Sequence, residues 1–136
     1  MRKVFKLKKY WEDYRITLRV SFYQKGNLAI QMLHWDKKER CWLPWDSLTV
    51  NLEGKREKDH AFIDTNNHGE EILAWILRYG LAVPTGKEQQ SGFCIYPEYR
   101  FREKVLRELD KDGYEEYLAE LEKRSAGKKS GRRKSA

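Results

Sequence analysis

The stretch YRITLRVSFY, residues 14–23, alternates apolar and polar side chains along its whole length. Its apolar side chains fall at the even positions from Tyr14 to Phe22, and Arg15 and Arg19 fall on the opposite face. A period of two that includes β-branched residues is typical of a strand with one buried face. The stretch therefore predicts a half-buried β-strand, and with it a sheet near the N-terminus.

A hairpin follows from this strand. Lys25-Gly26-Asn27 is a turn signal, and residues 27–35 again alternate, which predicts a second strand. Strands joined by so short a turn form a hairpin. Residues 47–52 predict a third strand, and the lysine-rich stretch 4–11 can add an edge strand, because charges at an edge discourage further pairing. These segments predict an antiparallel meander.

The best-delimited helix is predicted over residues 68–79. Asn67 and Glu70 have the spacing of a helix N-terminus, and Gly80 stands where a left-handed C-terminal cap belongs. Ile72, Trp75, Ile76 and Tyr79 recur at helical spacing inside it.

The remaining C-terminal segments predict a loop, a strand and more helix. Residues 81–90 predict a loop, and residues 91–96 a last strand that ends at Pro97. Two amphipathic stretches, 101–109 and 114–121, are separated by Asp112-Gly113. The predicted fold class is α+β: an antiparallel β-meander of three to five strands packed against two to three helices.

The formal net charge of +7 is concentrated at the C-terminus. Residues 123–136, the basic tail, hold seven bases and no acid, which accounts for the whole net charge. Because the tail has nothing apolar to bury, it is predicted to be disordered when free, next to a single domain over residues 1–122. Its bases can follow a phosphate backbone; alternatively the tail only solubilises the chain or is a cloning remnant. The predicted phosphate contacts are Lys123, Arg124, Lys128, Lys129, Arg132, Arg133 and Lys134.

The folded part is itself polarised in charge. Residues 1–25 carry eight bases and two acids, whereas residues 64–122 carry seven bases and thirteen acids. One interpretation is a basic face that meets an acidic partner, nucleic acid first. The other is that the two segments pack side by side and neutralise each other.

Three tryptophans surround three bases in the segment 35–45. Exposed tryptophan and cationic side chains together form stacking platforms for single-stranded nucleic acid. The alternative is that the tryptophans close one end of the sheet as core. The candidate contacts in this segment are Lys37, Lys38, Arg40 and Trp42.

No catalytic or metal motif stands out, and neither a metal nor a cofactor is predicted. The spacings of His60, Asp64, His68 and Cys94 match no zinc signature. A small enzyme would have to be built on the turns 64–68 and 90–93. Cys41 and Cys94 are far apart and predict reduced thiols in a cytoplasmic protein, and neither a secretory signal nor a membrane-spanning run is present.

Several short segments resemble an uncharacterised domain-of-unknown-function family, number forty-three thirteen. They are GNLAIQ at 26–31, LTVNL at 48–52, AFIDTNN at 61–67, YGL at 79–81, PTG at 84–86, QSGF at 90–93 and YP at 96–97. The resemblance covers roughly residues 26–101 and provides no catalytic residues. It implies an accessory protein of conjugative transposons and phage-like elements; such proteins often bind DNA, bind a partner of the transfer machinery, or inhibit a host defence nuclease.

The expected function is non-enzymatic binding to nucleic acid or to a host nucleoprotein effector, with no membrane association. An anti-CRISPR or other anti-defence inhibitor of a protein effector is the alternative, and a small enzyme is the third. The sequence leaves the oligomeric state and the choice between DNA and RNA open.

Overall fold

The computed structural model describes residues 3–9 and 11–135, with side chains described as far as Ala126. Within this part the chain forms two four-stranded antiparallel sheets and four helices, which confirms the α+β class. Sheet 1 contains, in spatial order, β1 (Phe5–Lys9), β2 (Glu12–Phe22), β3 (Leu28–Asp36) and β4 (Cys41–Ser47). Sheet 2 has the order β5 (Thr49–Val50), β6 (His60–Ile63), β8 (Cys94–Phe101) and β7 (Ala82–Ser91).

Sheet 1 is the meander that the alternating stretch predicts. The two strands of the predicted hairpin are β2 and β3, with Leu18 opposite Met32 and Val20 opposite Ile30. The inward side chains of β2, Ile16, Leu18 and Val20, are at most 2% exposed. The lysine-rich edge strand is also present, as β1.

The predicted third strand, residues 47–52, is wrong in its bounds. The chain instead forms β4 and β5, which lie in different sheets and are separated by Leu48 alone. The backbone N–H of Leu48 donates to Ile30 of β3 at 2.9 Å, and its carbonyl accepts from Asp64 at 3.0 Å. Because of Pro44, the sequence did not predict a strand at β4. However, β4 is an edge strand, and its pairing with β3 is irregular at Met32 and Leu33; such strands accept proline.

The predicted loop 81–90 is wrong, because it is β7 at the edge of sheet 2. An irregularity in its pairing between Pro84 and Glu88 accommodates the residues that suggested a loop. The predicted end of the last strand at Pro97 is also wrong, since β8 continues to Phe101. Strand β6 pairs with β8 only at residues 98–100, so Pro97 lies beyond that ladder.

The predicted helix 68–79 is two helices, α1 (Thr65–His68) and α2 (Glu71–Arg78). Asp64, rather than the predicted Asn67, caps the N-terminus of α1, because its carboxylate accepts from the backbone N–H of Asn67 at 3.2 Å. Gly80 has the expected positive φ of 62° just after the last helical turn.

Two more helices cover the open part of the β2 edge. They are α3 (Glu103–Leu109) and α4 (Lys111–Ser135), and they meet at Asp110, two residues before the predicted break at Asp112-Gly113. The carboxylate of Asp110 accepts from the N–H of Val20 at 3.1 Å, where β1 no longer pairs with β2. Gly113 lies inside α4, where any larger residue would clash: a Cβ at this position would lie 2.2 Å from the carbonyl oxygen of Val20.

Helix α4 runs through the predicted domain boundary at residue 122 without a break. Arg124, predicted to belong to the tail, donates to Glu120 at 2.9 Å and to the carbonyl of Gln24 in the β2–β3 turn. Lys123 is exposed on α4. The side chains of Lys128, Lys129, Arg132, Arg133 and Lys134 lie outside the described ones. The backbone of α4 extends to Ser135, whereas disorder of residues 123–136 in the free chain stays a prediction.

The main core lies between the inner face of sheet 1, sheet 2 and the helices. At its α4 side, the hydroxyl of Tyr114 donates to Asp59 at 3.0 Å, and the N–H of Asp59 donates to the hydroxyl of Tyr117 at 2.9 Å. These buried bonds join α4 to the loop that precedes β6.

Candidate nucleic-acid interface

Four bases share the outer face of sheet 1. Arg15 and Arg19 lie on the face of β2 opposite the inward residues Ile16, Leu18 and Val20, and both are exposed. Thr17, which lies between them on that face, is buried, and its hydroxyl donates to the carbonyl of Lys3. In β1, Lys6 lies opposite Arg15 and Lys8 opposite Asp13, so both lysines point the same way and are exposed too. These four side chains, Lys6, Lys8, Arg15 and Arg19, are the basic face.

The basic face forms no salt bridge with the described acids of the C-terminal half. Among the described residues no salt bridge involves any of its four side chains, although Asp13 shares the face. Charge pairing between the two segments occurs at Lys3, whose ammonium lies 2.8 Å from Glu108. Ion pairing between the two segments is therefore present at Lys3, whereas no described acid lies in ion-pair contact with the basic face.

Two tryptophans adjoin the basic face. Trp35 lies opposite Trp42, and their rings pack edge to face with centroids 5.3 Å apart. Both are half-buried. Trp35 follows His34, the cross-strand neighbour of Ile16, and therefore lies beside Arg15. Trp35 and Trp42 are the tryptophan pair.

The third tryptophan of the segment fits the core interpretation instead. Trp45 packs against the main core and stacks on Tyr14 with centroids 5.2 Å apart. The ammonium of Lys9 lies 5.1 Å from the centre of the Trp45 ring. The core interpretation of the segment 35–45 thus holds for Trp45, and the stacking interpretation stays a prediction for Trp35 and Trp42.

A cleft of 390 Å³ lies at this end of sheet 1, between the start of β2 and the end of β3. Arg15, Trp35, Lys37 and Lys38 are among the residues that line it. Three acids, Glu12, Asp13 and Asp36, line it as well. One carboxylate oxygen of Asp36 accepts from the backbone N–H groups of Lys38 and Glu39 at 2.8 and 2.9 Å. The volume lies near the lower end of the range for small-ligand pockets.

The sequence-predicted residues of the segment 35–45 fall at two places. Lys37, Lys38 and Arg40 are exposed on the β3–β4 turn, where Arg40 has a positive φ of 54°. Trp42 belongs to the tryptophan pair. The basic face and Trp35 are absent from the sequence-based contacts, although the alternation of residues 14–23 already placed Arg15 and Arg19 on one polar face.

The histidine and acidic residues considered for catalysis have structural partners. Both carboxylate oxygens of Asp64 accept from Asn67, at 3.2 and 2.7 Å, which is a capping role. Nε2 of His68 donates to the carbonyl of Ser47 at 2.8 Å, whereas its buried Nδ1 has no partner among the described residues. His68 lines a second cleft, of 270 Å³, with Leu7 and Glu71 among its neighbours.

Sheet 2 carries a buried polar cluster. Nδ1 of His60 donates to Glu98 at 2.9 Å, and the hydroxyl of Thr85 donates to the same oxygen at 2.9 Å. Burial alone would raise the pKa of Glu98, but the hydrogen bonds from His60 and Thr85 outweigh it and hold the pKa below its usual value. The ionised form of Glu98 is therefore favoured in the folded protein.

This cluster predicts an acid-sensitive contribution to stability. Because the folded-state pKa of Glu98 is depressed, its contribution is present above the unfolded pKa of about 4.3 and is lost as the pH falls through the folded pKa. As the pH is lowered from about 6 to 3, the midpoint temperature of thermal unfolding should fall more steeply in the native chain than in Glu98→Gln. Equal slopes for the two proteins would contradict the assignment.

The described residues lack two features. They contain no group of three or more His, Cys, Asp or Glu side chains arranged to hold a metal ion. Within the same part of the chain, no helix has both the length and the apolar character to cross a membrane. Cys41 lies in sheet 1 and Cys94 in sheet 2, both as free thiols.

Fold and surface define an α+β protein of two antiparallel sheets with an exposed basic sheet face. The chain belongs to the family described as Domain of unknown function (DUF4313), whose model matches residues 17–121, as the resemblance predicted. The match includes Arg19 and the tryptophan pair, whereas Lys6, Lys8 and Arg15 precede it. No curated protein and no solved structure matches the chain.

Proposed function

We propose that this protein is a non-enzymatic accessory protein of a mobile genetic element that binds nucleic acid, alone or within a nucleoprotein complex, in the cytoplasm. The observation that carries the proposal is the basic face, four exposed bases without a salt bridge to any described acid, beside the tryptophan pair. The context of mobile elements comes from what the family resemblance implies.

The arrangement suits a single strand of nucleic acid. Residues of a strand are spaced by about 3.3 Å, so Arg15 and Arg19 are roughly 13 Å apart along β2, and paired strands lie about 4.8 Å apart. The basic face is therefore a compact patch that can contact several phosphates and release their counterions. The tryptophan pair provides aromatic surface for bases at one end of the patch.

Binding should weaken steeply with salt. Four phosphate contacts to a single strand predict a log–log slope of roughly −3 for the affinity against salt concentration, and contacts from the tail make it steeper. Fluorescence anisotropy with a labelled oligonucleotide at several salt concentrations measures this slope. A flat response would count against the proposal.

A shortened chain separates the contribution of the tail to binding from that of the basic face. Deleting residues 127–136 leaves Arg124 anchored on the β2–β3 turn and should make the slope shallower, while roughly −3 remains from the basic face. If the shortened chain lost all binding, the tail rather than the sheet would carry the interaction.

A second candidate function is inhibition of a host defence effector by protein–protein contact, for instance as an anti-CRISPR protein. The β7–β8 hairpin favours it, because Phe93 at its tip is fully exposed and Ile95 is 55% exposed. Exposed apolar side chains at a loop tip suit a pocket on a protein partner. Recovery of one effector from host lysate that survives nuclease treatment, and its loss in Phe93→Ser, would favour this candidate.

A further inference from the structure

Trp11 is the most exposed of the five tryptophans. Its side chain is 95% exposed, whereas Trp75 is buried and the other three are half-buried. A single exposed apolar side chain is common on protein surfaces and by itself indicates nothing.

The backbone at Trp11 makes its exposure informative. Lys9 and Glu12 are the last paired residues of β1 and β2, and Trp11 lies in the turn between them. Trp11 has a positive φ of 70°. Hairpin turns favour glycine or asparagine at positions of positive φ, because a side chain there is strained. Neither packing nor turn geometry explains a tryptophan at this position, and backbone outliers of this kind concentrate at functional sites.

The position of the turn connects Trp11 with the basic face. Lys8 of that face lies three residues before Trp11, and Arg15 lies four residues after it. Glu12, the next residue, already lines the 390 Å³ cleft. Trp11 therefore stands at the end of the two strands that carry the basic face, next to the cleft that holds Trp35.

We infer that Trp11 stacks on an unpaired nucleobase at this end of the sheet, and that the ligand is single-stranded rather than duplex nucleic acid. The inference rests on the proposed function. Bases inside a duplex already stack on each other, whereas a single strand offers free base faces to an aromatic ring. The cations of the basic face hold the adjoining phosphates.

Trp11→Gly tests this inference with two opposite expected effects. Glycine accepts the positive φ, so the variant should unfold at a higher temperature than the native chain. The same change should weaken binding to a 12-nucleotide oligo(dT) about 10-fold, and binding to a duplex of equal length by less than about 2-fold. Native tryptophan fluorescence should be quenched by oligo(dT), and the variant should lose the share of this quenching that comes from Trp11, while the share from the tryptophan pair remains.

A matched variant and four outcomes decide the matter. Trp11→Phe keeps an aromatic ring at the same backbone position and should retain most of the affinity for oligo(dT). Unchanged oligo(dT) affinity in Trp11→Gly, or an equal loss for single strand and duplex, overturns the inference and leaves the proposed function standing. If the native chain binds no oligonucleotide, both fail. Quenching by anionic phospholipid vesicles but not by oligo(dT) also overturns the inference, in favour of a membrane surface.

Discussion

Replacing Arg15 and Arg19 together with glutamate should lower the affinity for a single-stranded oligonucleotide about 100-fold at ~0.1 M salt. A hydrogen bond to a charged group contributes roughly 1.5–3 kcal/mol, and 1.4 kcal/mol is a factor of ten in affinity. Losing two phosphate contacts and adding two repulsive charges therefore removes most of the binding. Both side chains are exposed, so the fold should tolerate the change. Fluorescence anisotropy with labelled oligo(dT) measures the effect.

The control makes the same change in charge at another surface. Lys104 and Lys111 are exposed at the starts of α3 and α4, where glutamate is favourable to the helix dipole. Their replacement by glutamate should lower the affinity far less than the change at the basic face. Equal losses in the two double variants would show that net charge alone governs binding, and the basic face would lose its special role.

Tyr114→Ala should lower the free energy of unfolding by about 4 kcal/mol. This is the largest effect on stability that we expect from a single substitution at a buried position of α4. Tyr114 is fully buried, and its hydroxyl donates to the buried carboxylate of Asp59. Burial raises the pKa of Asp59, and the bond from Tyr114 partly opposes that rise. Alanine removes both the packing of the ring and the donor.

Urea denaturation measures this loss, with two comparisons. Tyr114→Phe keeps the ring and removes only the hydroxyl, so it should cost roughly 1–3 kcal/mol. Glu115→Ala changes an exposed neighbour and should stay within about 0.5 kcal/mol of the native chain. A loss of less than about 1 kcal/mol in Tyr114→Ala would mean that α4 contributes little to the folded state.

Local pattern predicted the first half of the chain better than the second. The alternation in residues 14–23 defined both faces of β2, because one face packs on a core and the other meets water. Residues 81–90 show no such contrast. As an edge strand with one irregular stretch of pairing, β7 keeps Pro84 and Gly86 in an element whose hydrogen bonds come mostly from β8. Only the tertiary structure provides that partner.

The candidate site was predictable in its residue types but not in its assembly. Lys6 and Lys8 join Arg15 and Arg19 only through the register of β1 on β2, which the local sequence does not determine. The pairing of β3 with β4 separates Trp35 and Trp42 from Trp45, which the sequence shows as one cluster. Arg124 shows the converse case, since composition assigned it to the tail but its side chain contacts Gln24 in the folded domain.

Under the proposed function, the contact between Arg124 and the β2–β3 turn gives the expected length of a ligand that reaches both ends of the sheet. Helix α4 reaches sheet 1 at that turn, whereas Trp11 marks the turn at the other end of β2. The eleven residues of β2 separate the two ends by roughly 36 Å. An oligonucleotide shorter than this span can engage the tail or Trp11 but not both. Affinity should therefore rise with chain length until the strand bridges the sheet, and then level off.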